Sequence, residues 1–405
     1  MPGLMLLQMV MLHYPGRLDD KFYIAASIKG WILPWIDTCQ IDKLYEKTMS
    51  RNILITGASG YLGGTLLARW KSAQLPPYSK LYALVRSEEQ GEAVKQYEAE
   101  PLIGNLKDHG SIIQSIVSRK ITIIYFLVDA YSSQYQPAMI QALGEVKKQT
   151  GQEVHFLHTT GAKQFSRHAG ISTEYPLLDT DPKLYDIQKD AVTSHEFFVQ
   201  SMKTNRIVID TAEEYGVRSY IFAPCIVYGE GEGFGNRISI QDVAIVKAAK
   251  KIRQVYKVDS DHPTWPVCHI IDTINLYLHI LRKILTGDDI GHGKHGYFLA
   301  ASGSMPWEDI YSAMAKALAK RGIVDYATVK QADDAALAQM GKALEVEPSD
   351  VPVLLGGKCT FTAVHGQQIG WKAQYPPEHI LEAADDEVEL ILKSLEVDDS
   401  RTNVR

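Results

Sequence analysis

Six short apolar runs, separated by longer polar stretches of helical periodicity, fill the chain between residues 52 and 224. They are "NILIT" (52–56), "KLYALV" (80–85), "EPLIG" (100–104), "ITIIYFLV" (121–128), "EVHFLHT" (153–159) and "VRSYIFAP" (217–224). Runs of this length that are rich in β-branched residues read as strands buried on both faces. Strands alternating with helix-length segments build parallel β-α-β units with right-handed crossovers. The expected fold class is α/β, a doubly wound parallel sheet of the Rossmann type. After Pro224 the alternation stops. "YGEGEGFGN" (228–236) reads as a flexible glycine loop, followed by a helix around 271–285, a strand at 297–301, and helices near 307–321 and 332–344. Residues 225–395 are expected to form a smaller, mostly helical lobe, with segments between about 265 and 301 returning to the sheet and 396–405 as a tail.

Composition excludes several classes. Of 405 residues, 45% are hydrophobic and 22% charged, with a formal net charge of −6, which argues against a nucleic-acid surface. No apolar run reaches the roughly 20 residues of a membrane span, and "LMLLQMVML" (4–12) lacks the flanks of a signal peptide. The four cysteines, Cys39, Cys225, Cys268 and Cys359, are scattered and read as reduced thiols of a cytoplasmic protein. "GHGKHG" (291–296) offers no third ligand at metal-binding spacing, so no metal is expected. Residues 1–48 show no clear period, and "MSRN" at Met49 looks like a domain start. The first 48 residues are expected to be a dispensable extension, or an upstream artefact, ahead of a domain at 49–224.

The first strand runs into "TGASGYLG", with glycines at Gly57, Gly60 and Gly63. The first glycine permits a tight turn, the second lets backbone N–H groups reach a pyrophosphate, and the third lets helix pack on strand. The helix N-terminus then points its positive end at the phosphates. Strand before and helix after are the context this motif needs, so Gly57, Ser59, Gly60, Tyr61, Leu62 and Gly63 are expected to hold a dinucleotide. At the end of the second strand stands Arg86, then Ser87, where an acid would bind the ribose of NAD(H). A guanidinium suits a 2′-phosphate, so NADP(H) is favoured over NAD(H).

Four segments together resemble the extended short-chain dehydrogenases/reductases, the NAD-dependent epimerase/dehydratase family: "TGASGYLG", "YDIQK" (185–189), "APCIVYGEGEG" (223–233) and "WPVCHIID" (265–272). The detailed wording is closest to little-characterised fungal members. The resemblance spans about 51–395 and implies that residues 225–395 shape the substrate site. It also implies cofactor contacts from Asn105 and Leu106, from Val128, from Lys189, and from Pro224 and Ile226. A homodimer is implied as well.

Tyr185 and Lys189 are four apart and share a helix face, where the ammonium would lower the phenol's pKa from its usual value near ~10. Tyr185 would then exchange a proton with a carbonyl or alcohol. A second Tyr-x-x-x-Lys, "YATVK" (326–330), falls in the C-terminal lobe and reads as ordinary. Thr160, or Thr159 beside it, would bond the substrate oxygen. The expected function is an NADP(H)-dependent reductase or dehydrogenase acting on a small carbonyl or secondary alcohol. The alternatives are a sugar-nucleotide epimerase or dehydratase with bound NAD(P), and a non-enzymatic NADP(H)-sensing regulator. The chain departs from the family pattern in four places: Asp129 stands beside Val128, Asn105 replaces an aspartate, a threonine replaces the serine, and the segment after Lys189 is long.

Overall fold

The computed structural model describes residues 51–402, with side chains as far as 396, and three strands nearer the amino terminus, Gln8–Leu12, Tyr23–Ile28 and Trp31–Ile32. Those three strands pair antiparallel in chain order, in a unit of their own. Apart from them, the expectation for residues 1–48 concerns positions outside the described residues.

The second unit is built on one parallel sheet. Its strands are β1 (Asn52–Ile55), β2 (Lys80–Val85), β3 (Glu100–Ile103), β4 (Ile121–Phe126), β5 (His155–Thr159), β6 (Arg218–Pro224) and β7 (Tyr297–Ala300). The spatial order is β7-β6-β5-β4-β1-β2-β3, every neighbouring pair parallel. Strand order reverses between β1 and β4, and the crevice beyond the carboxyl ends of those strands is where such a sheet binds ligands. Every residue of β4 and β5 is buried, which accounts for the near-continuous apolar run of β4.

Helices α1 (Tyr61–Trp70), α2 (Glu88–Lys95), α3 (His109–Ser118) and α4 (Gln136–Thr150) follow the first four strands. Two helices separate β5 from β6: the short α5 (Leu184–Asp190) and the long α6 (Glu196–Tyr215). Beyond the sheet's sixth strand lie α7 (Gln241–Ile252), α8 (Ile270–Thr286), α9 (Trp307–Lys320) and α10 (Ala384–Thr402), the last running through the expected tail.

One expected sheet segment is elsewhere. Tyr297–Ala300 joins the main sheet as β7 beside β6, but Thr264–His269 does not. It pairs parallel with Ile226–Tyr228 and antiparallel with Gly303–Pro306 in a separate three-stranded sheet. The chain leaves β6 at Pro224 and resumes extended backbone at Ile226, so this new strand, and not β6, offers the edge that Thr264–His269 takes.

His158 on β5 is fully buried, stacked on Phe126, with no partner for either ring nitrogen. Burial pushes its pKa down to about 4. A histidine held neutral in the fold stabilises fully above its unfolded value near ~6.5 and loses that contribution as pH falls toward the folded value. Urea unfolding at pH 7 and pH 4.5 is expected to show His158→Phe losing less stability on acidification than wild type, the gap reaching roughly 2–3 kcal/mol. Equal losses would contradict this assignment.

Candidate active site

The glycine turn lies at the strand-order reversal. Gly57 follows β1 with φ +71°, and a Cβ there would stand 2.8 Å from the Leu127 carbonyl oxygen, just past β4. A Cβ on Gly63 would overlap the Gly57 carbonyl. Gly60 precedes α1 in extended conformation with no side-chain cap, so the first N–H groups of α1 lack an intrahelical partner. Ser59, Gly60 and Leu62 are only half-buried. A cradle that no Cβ could enter, lined by free backbone donors, fits a pyrophosphate.

Arg86 follows the last residue of β2, which neighbours β1, so its side chain starts from the same carboxyl edge as the turn. It is exposed and makes no ion pair with a described residue, while its backbone N–H donates to the Gln90 side chain at 3.0 Å. The Ser87 hydroxyl caps α2 by accepting from Gln90 N at 3.3 Å.

The other expected cofactor contacts are engaged locally. The Asn105 side chain accepts from Lys107 N at 3.0 Å, closing a turn, and Leu106 packs on the core. Val128 is 49% exposed. Asp129 beside it accepts from Tyr131 N and Ser132 N, at 2.8 and 3.0 Å, so that acid shapes its own loop. Pro224 ends β6, and Ile226 is fully buried in the three-stranded sheet.

The two threonines separate cleanly. Thr159 Oγ1 bonds the Tyr277 hydroxyl at 2.7 Å, toward α8. Thr160 is buried and its hydroxyl has no partner. Lys163, three residues on, donates to Val353 O and Leu354 O at 2.7 and 3.0 Å, and burial pushes its ammonium down to about 7.

Tyr185 has its hydroxyl engaged on α6. Its hydroxyl donates to Asp210 Oδ1 at 2.7 Å, and Lys294 lies over its ring at 4.9 Å. Thr204 of α6 marks the level of the carboxyl edge, since its Oγ1 donates to Tyr131 O in the loop after β4. Asp210 is six residues beyond Thr204, about 9 Å along the helix axis. The other end of α6 turns directly into Arg218, where β6 begins. Lys294 precedes β7, and Gln188 of α5 accepts from the Tyr297 hydroxyl at 3.2 Å. Tyr185 therefore lies on the flank of the sheet near Tyr297, which is level with Ile221 and His158 in the strand register, and four strand spacings, about 19 Å, separate β7 from β1. Burial, then Asp210, push its pKa up to about 12, opposite to the expected direction. Lys189 is exposed on α5. The long connection after Lys189 makes α5 a separate short helix ahead of α6, tied to the loop after β5 by the Gln188 side chain, which donates to Gln164 O at 3.3 Å. The first two turns of α6, "EFFVQSMK", contain no tyrosine. Phe197 stands there instead, stacked on Tyr131 at 5.3 Å.

The glycine loop after β6 is fixed, not free. The Tyr61 phenol donates to Gly229 O, and Thr65 Oγ1 accepts from Glu232 N at 3.1 Å. Arg69 pairs with Glu232 at 2.8 Å, and Asn236 N donates to Ser59 O at 2.9 Å. Tyr61, Thr65 and Arg69 share one face of α1, so the loop roofs the helix that carries the phosphate turn. Gly233 lies so close to Gly64 that a Cβ would come within 2.5 Å of its Cα. The alternating glycines of "GEGEGFG" carried that signal of close backbone approach.

A profile of the NAD dependent epimerase/dehydratase family matches residues 53–292. The chain belongs to that family. Among solved structures, UDP-glucose 4-epimerase of Thermotoga maritima is 14% identical with a TM-score of 0.57, over 85% of this chain and 99% of that one. The dTDP-glucose 4,6-dehydratase DesIV of Streptomyces venezuelae, bound to NAD, is 10% identical with a TM-score of 0.57, over 84% and 97%. A monomeric L-threonine 3-dehydrogenase from a metagenome is 13% identical with a TM-score of 0.53, over 83% and 98%. At such identities these likenesses establish the Rossmann fold of the epimerase/dehydratase family and nothing finer. A comparison with curated protein sequences finds no match. No helix among the described residues is long and apolar enough to cross a membrane.

Proposed function

We propose that this member of the epimerase/dehydratase family binds NADP(H) and acts as a sensor of it, without a tyrosine acid at the nicotinamide. Gly57, Ser59, Gly60, Tyr61, Leu62 and Gly63 would hold the pyrophosphate, and Arg86 with Ser87 the 2′-phosphate. The observation that supports the reading is the engagement of Tyr185, whose hydroxyl is bonded to Asp210 and whose pKa is pushed up to about 12. The cofactor, when bound, supplies a hydride donor or acceptor. Tyr185, held by Asp210 with its pKa pushed up to about 12, is a poor proton donor for that step.

A second reading is an NADPH-dependent reductase of a small carbonyl compound with a different proton donor. It is supported by the unpartnered Thr160 hydroxyl and by Lys163, whose pKa of about 7 suits a general acid. A sugar-nucleotide epimerase or dehydratase is the reading suggested by the solved neighbours, and Arg86 counts against it.

NADPH binding, followed by oxidation over a panel of aldehydes, ketones and sugar nucleotides, separates these readings. Tyr185→Phe is expected to bind NADPH as wild type does and to cost about 1 kcal/mol of stability through the lost bond to Asp210. The sensor reading expects no turnover in either protein. Turnover that survives Tyr185→Phe but disappears in Lys163→Met would support the second reading. Turnover abolished by Tyr185→Phe would overturn both.

A further inference from the structure

The loop roofing α1 is gripped at both ends by one carboxylate from the far end of the chain. Glu387, in the first turn of α10, accepts from Gly229 N at 2.9 Å and from Ser239 Oγ at 3.0 Å. Asp242, in the first turn of α7, is fully buried, and neither of its oxygens has a partner. Burial and the Glu387 carboxylate push Asp242 well above the usual carboxylate range. Burial pushes Glu387 up too, against the pull of its bonds from Gly229 and Ser239.

Among the described residues neither Asp242 nor Glu387 has an ion-pair partner. Tyr61 faces the pair from α1, and Tyr228 faces Asp242 from the strand Ile226–Tyr228. The Tyr228 hydroxyl is bonded to His379 Nδ1 at 3.1 Å. Glu230, the nearest charged group on the loop, adds negative charge and is itself paired with Arg237 at 2.9 Å. With one proton between them, Glu387 stays ionised to hold the loop ends and Asp242 stays neutral. Loss of that proton leaves two buried negative charges with no ion-pair partner among the described residues, and such a site is relieved by admitting water.

We propose that Asp242 and Glu387 form a proton-held latch on the Gly229–Ser239 loop, making Glu387 a positioning residue for the dinucleotide site and NADP(H) affinity sensitive to alkaline pH. The affinity part rests on the NADP(H) reading above; the latch itself does not. Carboxyls whose pKa is raised in the fold stabilise it at low pH and lose that contribution as pH rises through the folded value. The loop touches α1 through Tyr61, Ser59, Thr65 and Arg69, so its release strips the support from the phosphate turn.

The test has a cofactor-free arm and a cofactor arm on the full chain. Amide hydrogen-exchange protection factors of residues 229–239 are measured at pH 7 and pH 9 without nucleotide. NADPH affinity is measured over the same range, above the pKa of the 2′-phosphate, near ~6. In wild type, loop protection and NADPH affinity are each expected to fall about tenfold. Asp242→Asn, which cannot ionise, is expected to hold both within about twofold. Glu387→Gln leaves a single acid and is expected to flatten the profile likewise, which keeps the test decisive if one variant folds poorly. Equal pH dependence in wild type and both variants, or a loop equally protected at pH 7 and 9, would overturn the latch. A loop that loosens as expected in a protein that binds no NADPH would support the latch and overturn the NADP(H) reading.

Discussion

Replacing Gly63 with alanine is expected to weaken NADPH binding by about 10- to 100-fold. The new Cβ would overlap the Gly57 carbonyl oxygen, so either α1 moves away from the turn or the turn opens. Overpacking of this kind costs roughly 1–3 kcal/mol, and each 1.4 kcal/mol is a factor of ten in affinity. The cost falls where the first N–H groups of α1 must converge on a pyrophosphate, so binding suffers before global stability. Equilibrium titration followed by nucleotide fluorescence, with the fold checked by circular dichroism, reads the effect. Wild-type affinity in a folded Gly63→Ala protein would show that the dinucleotide does not use this turn.

Arg86→Ala is expected to lower NADPH affinity by about 10- to 100-fold while leaving NADH affinity within about twofold. Hydrogen bonds to charged groups contribute roughly 1.5–3 kcal/mol, and Arg86 has no competing ion pair among the described residues. Arg86→Glu goes further, because an acid in its place repels a 2′-phosphate and accepts from a ribose hydroxyl. That variant is expected to prefer NADH. Parallel titrations with the two nucleotides separate this role from general loosening of the turn, which would weaken both equally.

The sheet was legible in the sequence because its strands are buried on both faces and so leave near-continuous apolar runs. The runs at β2 and β6 agree with the observed strands to within a residue. The glycine turn was legible for a similar reason: Gly57 and Gly63 are positions where geometry admits no side chain. Tyr185 was not. A tyrosine and a lysine four apart reveal that they share a helix face, but not where that helix lies in the fold. Only the length of the connection to β6 hinted that a second helix, α6, would intervene. Glu387 was illegible for another reason, since its bonds to Gly229 and Ser239 join residues about 150 positions apart and leave no periodic trace.

The central claim is spatial: the nucleotide sits on the Gly57–Gly63 turn, and Tyr185 lies away from it. Amide hydrogen exchange of the intact protein, with and without saturating NADPH, tests that directly. Added protection is expected across residues 57–63 and 86–87, with no change across 185–189. Protection that spans 185–189 and leaves 57–63 unchanged would contradict it.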